Sequence, residues 1–207
     1  MNAPPPKRIS AGLLYPVFLV SGFAAILYQL VWQRALFRLL GTSSESVTLI
    51  VTAFMLGLGL GSLAGGGLSA KPGRPLALIF GLAELGIGAF GLFSLPLFGW
   101  IAAETPEASG LSIGLVAFVA VLIPTLLMGG TLPILVAFLV RRSGNVGRSV
   151  GMLYFVNTLG SALGSLAAAA WILGALGQSA SVLLAAGLNL AASLSVIAVH
   201  FLGRGSA

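Results

Sequence analysis

The chain has 207 residues, of which 58% are hydrophobic and 7% are charged, and its mean hydropathy is +1.10. Soluble domains carry about 25% charged residues, so this composition excludes an ordinary water-soluble domain and indicates an integral membrane protein. The absence of Cys excludes a disulfide scaffold. The chain has no Asp, four Glu and one His, which leaves little material for acid–base or metal chemistry, so we expect no catalytic residue, metal or cofactor.

Long unbroken apolar runs predict an all-α integral membrane fold, because the strands of a membrane barrel would alternate apolar and polar residues. A six-helix membrane domain is predicted over 11–203, between a Pro-rich tail at 1–10 and a short tail at 204–207. The six predicted spans lie near 11–32, 47–69, 76–100, 111–140, 149–173 and 179–203.

The distribution of Lys and Arg predicts that both termini are cytoplasmic. With that orientation eight basic residues fall on the inside and two on the outside, which follows the positive-inside rule. The inside residues are Lys7, Arg8, Lys71, Arg74, Arg141, Arg142, Arg148 and Arg204. The predicted location is a bacterial inner membrane, and the short basic clusters give no indication of nucleic-acid binding.

The two outside basic residues, Arg34 and Arg38, lie four positions apart among apolar residues. This spacing is typical of a short amphipathic helix at the outer membrane interface, with the arginines contacting lipid headgroups. Tyr28 and Trp32 would then be aromatic residues of the interfacial belt.

The fourth predicted span contains the most distinctive local string of the chain. Pro124 and Pro133 enclose Gly129 and Gly130, and this combination predicts a bent or discontinuous helix. Carbonyl groups freed by the prolines could face a cavity, or nearby threonine hydroxyls could satisfy them locally.

The pentapeptide Leu-Gly-Ser-Leu-Ala occurs twice, at 60–64 and at 163–167. These positions correspond in two halves of three helices each, and an odd number of helices forces the second half into the opposite orientation. The pentapeptide therefore supports the hypothesis of a 3+3 inverted repeat, as in half of a major-facilitator transporter.

Small residues recur every four positions on two of the predicted helices. They form one face on each helix, where backbones can approach closely. This pattern predicts helix packing inside one subunit, and the sharper alternative is a homodimer interface. The glycines concerned are Gly57, Gly61, Gly65, Gly160 and Gly164.

Glu84 is the acidic residue within a predicted span, about 12 Å from the inner end of that span at 1.5 Å per residue. A carboxyl group at that depth is costly and marks a functional hypothesis. Thr125, Asn157 and Asn189 lie at similar depth on three other helices, which predicts a midplane polar cluster. Such a cluster could bind a solute or a coupling proton; alternatively, the amides bridge helices and have a purely structural role.

Four stretches carry a resemblance to a known family. They are 21–25 with Tyr28, Gln29, Trp32, Arg34 and 40–41; 53–57 with 60–62; 124–133; and Tyr154 with 157–160 and Gly164. At these stretches the chain resembles the membrane domain of the spermidine synthase-like membrane proteins, also described as fused major-facilitator and spermidine synthase proteins. Full-length members of that family carry an aminopropyltransferase-like domain after the helices. Because this sequence ends at Ala207, the resemblance implies a non-catalytic chain.

Three functions remain open on the sequence alone. The preferred hypothesis is a non-catalytic membrane subunit that packs in the bilayer against other membrane proteins or a second copy of itself. The second is a small transporter that moves a cationic or amine-like solute past Glu84. The third is a membrane anchor for a separate aminopropyltransferase-like enzyme.

Overall fold

A computed structural model describes residues 11–41, 43–104 and 110–202. These residues are helical with short connections, and no strand occurs among them. The helices are α1 (Ala11–Leu40), α2 (Ser43–Ala70), α3 (Leu76–Glu104), α4 (Gly110–Ser143), α5 (Val146–Ala167) and α6 (Leu173–Leu202), with a π-helical turn at Ala168–Ile172. The two predicted tails lie outside the described residues.

Five helical stretches are long and apolar enough to cross a membrane. Four of them are α1 to α4, and the fifth is the continuous run Val146–Leu202, which has 57 residues and joins the fifth and sixth predicted spans. At 1.5 Å per residue a straight helix of this length would extend about 85 Å, far beyond the roughly 30 Å hydrocarbon core of a bilayer. The backbone of Gly177 is non-helical within this run (φ 70°, ψ −175°) and breaks it.

Helix α1 corrects the prediction made for its outer end. It continues without interruption to Leu40, so Arg34 and Arg38 do not lie on a separate interfacial helix. Tyr28 and Trp32 are fully buried inside the bundle and are not interfacial residues. Their aromatic rings stack with centroids 4.9 Å apart, and the Trp32 indole N–H donates to the Ser94 hydroxyl of α3 at 3.0 Å. Internal packing and this hydrogen bond replace the predicted membrane interface.

Helix α4 corrects a second prediction, because it is continuous through both prolines. The Thr125 hydroxyl lies 3.0 and 2.9 Å from the backbone carbonyls of Val121 and Leu122 and can donate its one hydrogen to either, next to the position where Pro124 has no N–H. Threonine bonds of this type permit a gentle bend, whereas the carbonyl that Pro124 leaves without its helical donor is that of Ala120. The helix is therefore not discontinuous.

The glycines of α4 serve close packing. A Cβ atom at Gly129 would fall against the backbone of Leu58, and the α2 backbone approaches Gly130 as well. Helices α2 and α4 accordingly share the most extensive helix contact in the structure.

Hydrogen bonds between helices give their relative directions. Asn157 and Ser161 of α5 donate to the carbonyls of Phe18 and Gly22 of α1, so α1 and α5 run parallel. Helix α1 also runs parallel to α3, because Ser21 contacts Glu84 and Trp32 contacts Ser94.

Helix α6 runs in the opposite direction to α3. Asn189 contacts Glu84, and Ser193, further along α6, donates to the carbonyl of Gly81, which precedes Glu84. Since α5 is parallel to α1 and therefore to α3, the chain reverses direction between α5 and the part of α6 that contains Asn189. The reversal lies at the non-helical Gly177.

Candidate functional site

Glu84 is the centre of the interior polar site. Its side chain is completely buried in α3 and accepts two hydrogen bonds. The Ser21 hydroxyl of α1 donates to Oε1 at 2.7 Å, and the Asn189 amide of α6 donates to Oε2 at 2.5 Å. The site therefore joins three helices through one carboxyl group.

Close contact of α3 with α6 brings Asn189 to Glu84. A Cβ atom at Gly81 would lie 2.7 Å from Ile197, and one at Gly88 would lie 2.9 Å from Leu190. Because glycine occupies both positions, one turn on either side of Glu84, the two helices approach closely enough for a direct side-chain bond.

The four polar residues predicted to cluster separate into three locations. Glu84 and Asn189 are brought together, as described above. The single hydroxyl hydrogen of Thr125 is within reach of backbone carbonyls of its own helix and, at 3.3 Å, of the carbonyl of Ala53 in α2. Asn157 donates to the carbonyl of Phe18 at 3.2 Å. The side chains of Thr125 and Asn157 therefore contact the backbone of a neighbouring helix and not the Glu84 carboxyl group.

Sequence reasoning missed Ser21, the second partner of Glu84. The available signal is helical spacing: Ser21, Tyr28 and Trp32 are separated by seven and four residues, so they share one face of α1. All three contact or adjoin α3 in the structure. A hydroxyl on the face that carries two buried aromatic residues points towards the bundle interior.

A cavity of about 320 Å³ lies between α1, α2, α4 and α5. Ser21 is part of its wall, so the residue that donates to Glu84 also lines the cavity. Other polar wall residues are Gln29, Ser62, Thr131, Tyr154, Asn157 and Ser161, and the apolar wall includes Phe18, Phe54, Leu58, Met128 and Leu132. Ser62 and Tyr154 are exposed, and the cavity is partly open.

Some buried polar atoms have no hydrogen-bond partner in the described part of the chain, and two of them lie on α1 and α6 near the polar site. They are the Tyr28 hydroxyl and Oδ1 of Asn189. In the same part, no group of three His, Cys, Asp or Glu side chains is placed to hold a metal ion.

The glycines that recur every four positions on α2 and α5 contact other helices of the same chain. On α2, a Cβ atom at Gly57 would meet Thr125, one at Gly61 would meet Leu126, and one at Gly65 would lie 2.6 Å from the Gly130 carbonyl oxygen. On α5, Gly160 and Gly164 adjoin the α1 backbone at Leu19 and Phe23. Other helices of the same subunit cover these glycine faces, so the faces give no support to a homodimer interface built on them.

The arginines at the ends of α1 and α4 have different environments. Arg34 is exposed, and Arg38 donates to the Gln178 side chain near the start of the last helix segment. Arg141, at the end of α4, donates to the carbonyls of Ser69 and Lys71 at 2.5 and 3.0 Å. Arg38 and Arg141 therefore each link the end of one helix to the turn between two others.

Comparison with known proteins gives one informative similarity. The chain is 25% identical over 190 residues to polyamine aminopropyltransferase 1 of Streptomyces coelicolor. The aligned region covers 91% of this chain and 34% of that protein, so the chain corresponds to about one third of its relative's length. This similarity fits the spermidine synthase-like relationship indicated by the sequence motifs. No family model and no solved structure matches the chain.

Proposed function

We propose that the chain crosses a bacterial inner membrane six times, with both termini in the cytoplasm. The reversal at Gly177 supports six crossings, because it divides the run Val146–Leu202 into two antiparallel segments. Each segment is close to the length that a bilayer requires. The orientation rests on the excess of Lys and Arg in the inside connections.

Paired contacts support a 3+3 inverted repeat. A Cβ atom at Gly61 would meet the carbonyl of Leu126, and one at Gly164 would lie 2.8 Å from the carbonyl of Phe23. Gly61 and Gly164 are 103 positions apart in sequence, and so are Phe23 and Leu126. The contact of α2 with α4 and that of α5 with α1 are therefore equivalent under exchange of the two halves.

The turns support the same repeat. Positive φ angles occur at Gly41, Gly73, Gly144 and Gly177 in the described residues. Gly41 and Gly144 are 103 positions apart and follow α1 and α4. Gly73 and Gly177 are 104 positions apart; Gly73 precedes α3, and Gly177 precedes the part of α6 that runs antiparallel to α3. Glycine is favoured at such angles because it has no Cβ.

Six crossings predict that Ser179, just after Gly177, lies at the outer surface. The chain has no Cys, so a Ser179→Cys variant carries a single thiol. We expect a membrane-impermeant maleimide to label this thiol in intact spheroplasts, and to label Gly147→Cys, at the start of α5, only after lysis. Both positions are exposed. Ser179→Cys that stays unlabelled in spheroplasts but reacts after lysis would contradict the proposed topology.

The preferred function is that of a non-catalytic membrane unit which associates with a second membrane unit across the face formed by α1, α2, α4 and α5. The observation that supports this function is the partly open cavity on this face, whose wall contains polar groups from four helices. Hydrocarbon cannot form hydrogen bonds with these groups. The polar side chains of a neighbouring membrane protein can, and so can polar molecules enclosed between the two units. Polar sites between helical units are typical of membrane transport folds.

Crosslinking from two matched aromatic positions tests this association. Tyr154, at the cavity, is 63% exposed, and Phe93, on α3, is 68% exposed. We expect p-benzoylphenylalanine at position 154 to yield protein adducts in native membranes, and the same residue at 93 to yield mainly lipid adducts. An adduct at twice 20.9 kDa identifies a second copy, and another mass identifies a different membrane protein. Lipid adducts alone at position 154 would contradict the proposal.

The relative in Streptomyces favours one class of neighbour. Because that protein is named a polyamine aminopropyltransferase and this chain aligns with about a third of it, an aminopropyltransferase-like unit anchored by these helices is a specific form of the proposal. Its enzymatic activity would belong to the anchored unit.

A second candidate function is transport of a cationic or amine-like solute. The observation that favours it is the position of Ser21, which lines the cavity and donates to Glu84. Glu84 is thereby close to the cavity without being part of its wall.

A further inference from the structure

We infer that the groove between α2, α3 and α4 binds an anionic phospholipid, with an acyl chain in the groove and the phosphate group at the turn that joins α2 to α3. The groove shares no described lining residue with the cavity between α1, α2, α4 and α5. The lipid site therefore goes beyond the proposed association with a second membrane unit, and neither depends on the other.

The groove exists because α2 and α3 both pack on α4. These two helices follow each other in the chain but make little contact with each other. On one side, Cβ atoms at Gly61 and Gly65 would meet the backbone of α4. On the other side, a Cβ atom at Gly86 of α3 would lie 2.9 Å from the Leu127 side chain of α4. Helix α4 thus forms the floor of the groove, and α2 and α3 form its walls.

The groove is apolar and elongated. Its volume is about 330 Å³, and its described lining residues are all Gly, Ala, Leu or Ile. Along α2 it extends from Gly61 to Leu68, which is about 10 Å at 1.5 Å per residue. Ala64 and Leu82, on opposite walls, are exposed, so the groove opens sideways. An acyl chain that lies along these helices gains dispersion contacts that an empty groove lacks.

One end of the groove lies beside a basic turn. Leu68 is two residues before the end of α2, and Ile79 is three residues after the start of α3. The turn between these helices therefore borders the groove, and it contains Lys71 and Arg74, which are both exposed. Clusters of basic residues next to membrane-spanning helices attract anionic lipid headgroups.

Arg141 fixes this turn to the floor of the groove. From the end of α4, its guanidinium donates to the carbonyls of Ser69 and Lys71 at 2.5 and 3.0 Å. These bonds hold the turn in place and bring a third cation to the end of the groove. A guanidinium has five N–H donors, so Arg141 can donate to a phosphate oxygen as well.

Acidic side chains do not neutralise this end of the groove. The chain has no Asp, and Glu45 and Glu104 lie at the ends of α2 and α3 that are remote from the turn. Glu84 is buried and bonded to α1 and α6. The cations at the turn therefore favour a lipid with a net negative charge over a zwitterionic one.

The corresponding turn of the proposed repeat lacks this charge. The sequence around Gly177 has neither Lys nor Arg from 171 to 180, so a turn at this place in the fold does not require basic residues. The positive-inside rule accounts for basic residues on one side of the membrane. It does not account for an apolar groove that leads to them, and this combination makes a site for an individual lipid.

The test measures lipid binding to the purified full chain. Protein stripped of lipid in detergent is incubated with equal amounts of dioleoylphosphatidylglycerol, which is anionic, and dioleoylphosphatidylethanolamine, which is zwitterionic and has the same acyl chains. Native mass spectrometry counts the bound molecules. We expect saturable binding of one phosphatidylglycerol with at least about fivefold preference, roughly the effect of one basic residue on anionic-lipid binding. Equal binding of the two lipids would overturn the proposed site.

Two matched arginine variants locate the headgroup. Arg74→Gln is expected to weaken phosphatidylglycerol binding about fivefold. Arg148→Gln is the control, because Arg148 is also exposed but belongs to α5, which packs mainly against α1 and α4. Equal losses in the two variants would mean that total charge and not the turn attracts the lipid, which would overturn the site.

Two matched alanine variants locate the acyl chain. Ala64→Phe fills the groove from an exposed position and is expected to abolish the bound lipid, whereas Ala162→Phe, at an exposed position on α5 outside the groove, leaves it unchanged. Thermal melting confirms that all four variants fold. Unchanged lipid binding in Ala64→Phe would contradict the site. A dimer of the stripped protein that Ala64→Phe disrupts would assign the groove to a second copy and overturn the proposal.

Discussion

Substitution of Gly61 or Gly160 by Ala is expected to lower the free energy of unfolding by roughly 2 kcal/mol, within the range found for overpacked interiors. A Cβ atom at Gly61 would overlap the carbonyl of Leu126, and one at Gly160 would overlap the carbonyl of Leu19. Backbone atoms cannot move aside as a flexible side chain can, so the helices must separate. Thermal and chemical denaturation in detergent measures the loss.

Matched glycines on the same helices provide the controls. Gly59 on α2 and Gly151 on α5 have no heavy atom within 4 Å of a Cβ position, and both are exposed. Alanine at either site is expected to leave stability unchanged or to raise it by up to about 1 kcal/mol through helix propensity. If all four alanine variants melted alike, the close helix contacts described here would be wrong.

The apolar runs and the small-residue spacing made much of the helical fold predictable. Unbroken hydrophobic stretches require helices in hydrocarbon, because each backbone group must be satisfied within its own segment. Glycines four residues apart, such as Gly57 and Gly61, lie on one face whatever the tertiary structure, so close packing of that face followed directly. Which helix they contact did not follow, since spacing contains no information about the partner.

The environments of Tyr28 and Trp32 could not be predicted from their position near the end of an apolar stretch. Interfacial and buried aromatic residues look the same in sequence when the helix end is uncertain. Helix α1 continues to Leu40, and Ser94 of α3 provides the hydrogen-bond acceptor that a buried indole requires. Only the tertiary contact distinguishes the two environments.

The polar residues illustrate a related limit. Depth along a helix can be counted from sequence, and it placed Glu84 and Asn189 at levels that proved compatible with direct contact. Depth does not give direction around the helix. Thr125 and Asn157 are at comparable depth but donate to backbone carbonyls of neighbouring helices, so they do not join the carboxyl group.

Replacement of Asn189 by Leu is expected to destabilise the bundle by roughly 3 kcal/mol. Glu84 is fully buried and accepts hydrogen bonds from Asn189 and Ser21. Loss of one donor leaves a carboxyl oxygen without a partner in the interior, which costs more than the hydrogen bond itself contributes. Replacement of Glu84 by Leu has a comparable cost, because it leaves two buried donors without an acceptor.

A double-mutant cycle isolates the contact between these two side chains. When both Glu84 and Asn189 are replaced by Leu, the unpaired groups are removed together, so we expect the combined loss to be smaller than the sum of the single losses by at least about 1 kcal/mol. Asn145→Ala, at the amino-terminal cap of α5, is the control and is expected to add to Glu84→Leu without coupling. Additivity of the Glu84 and Asn189 substitutions would mean that the carboxyl group is stabilised without this amide, and that α6 is held to α3 by apolar and glycine contacts alone.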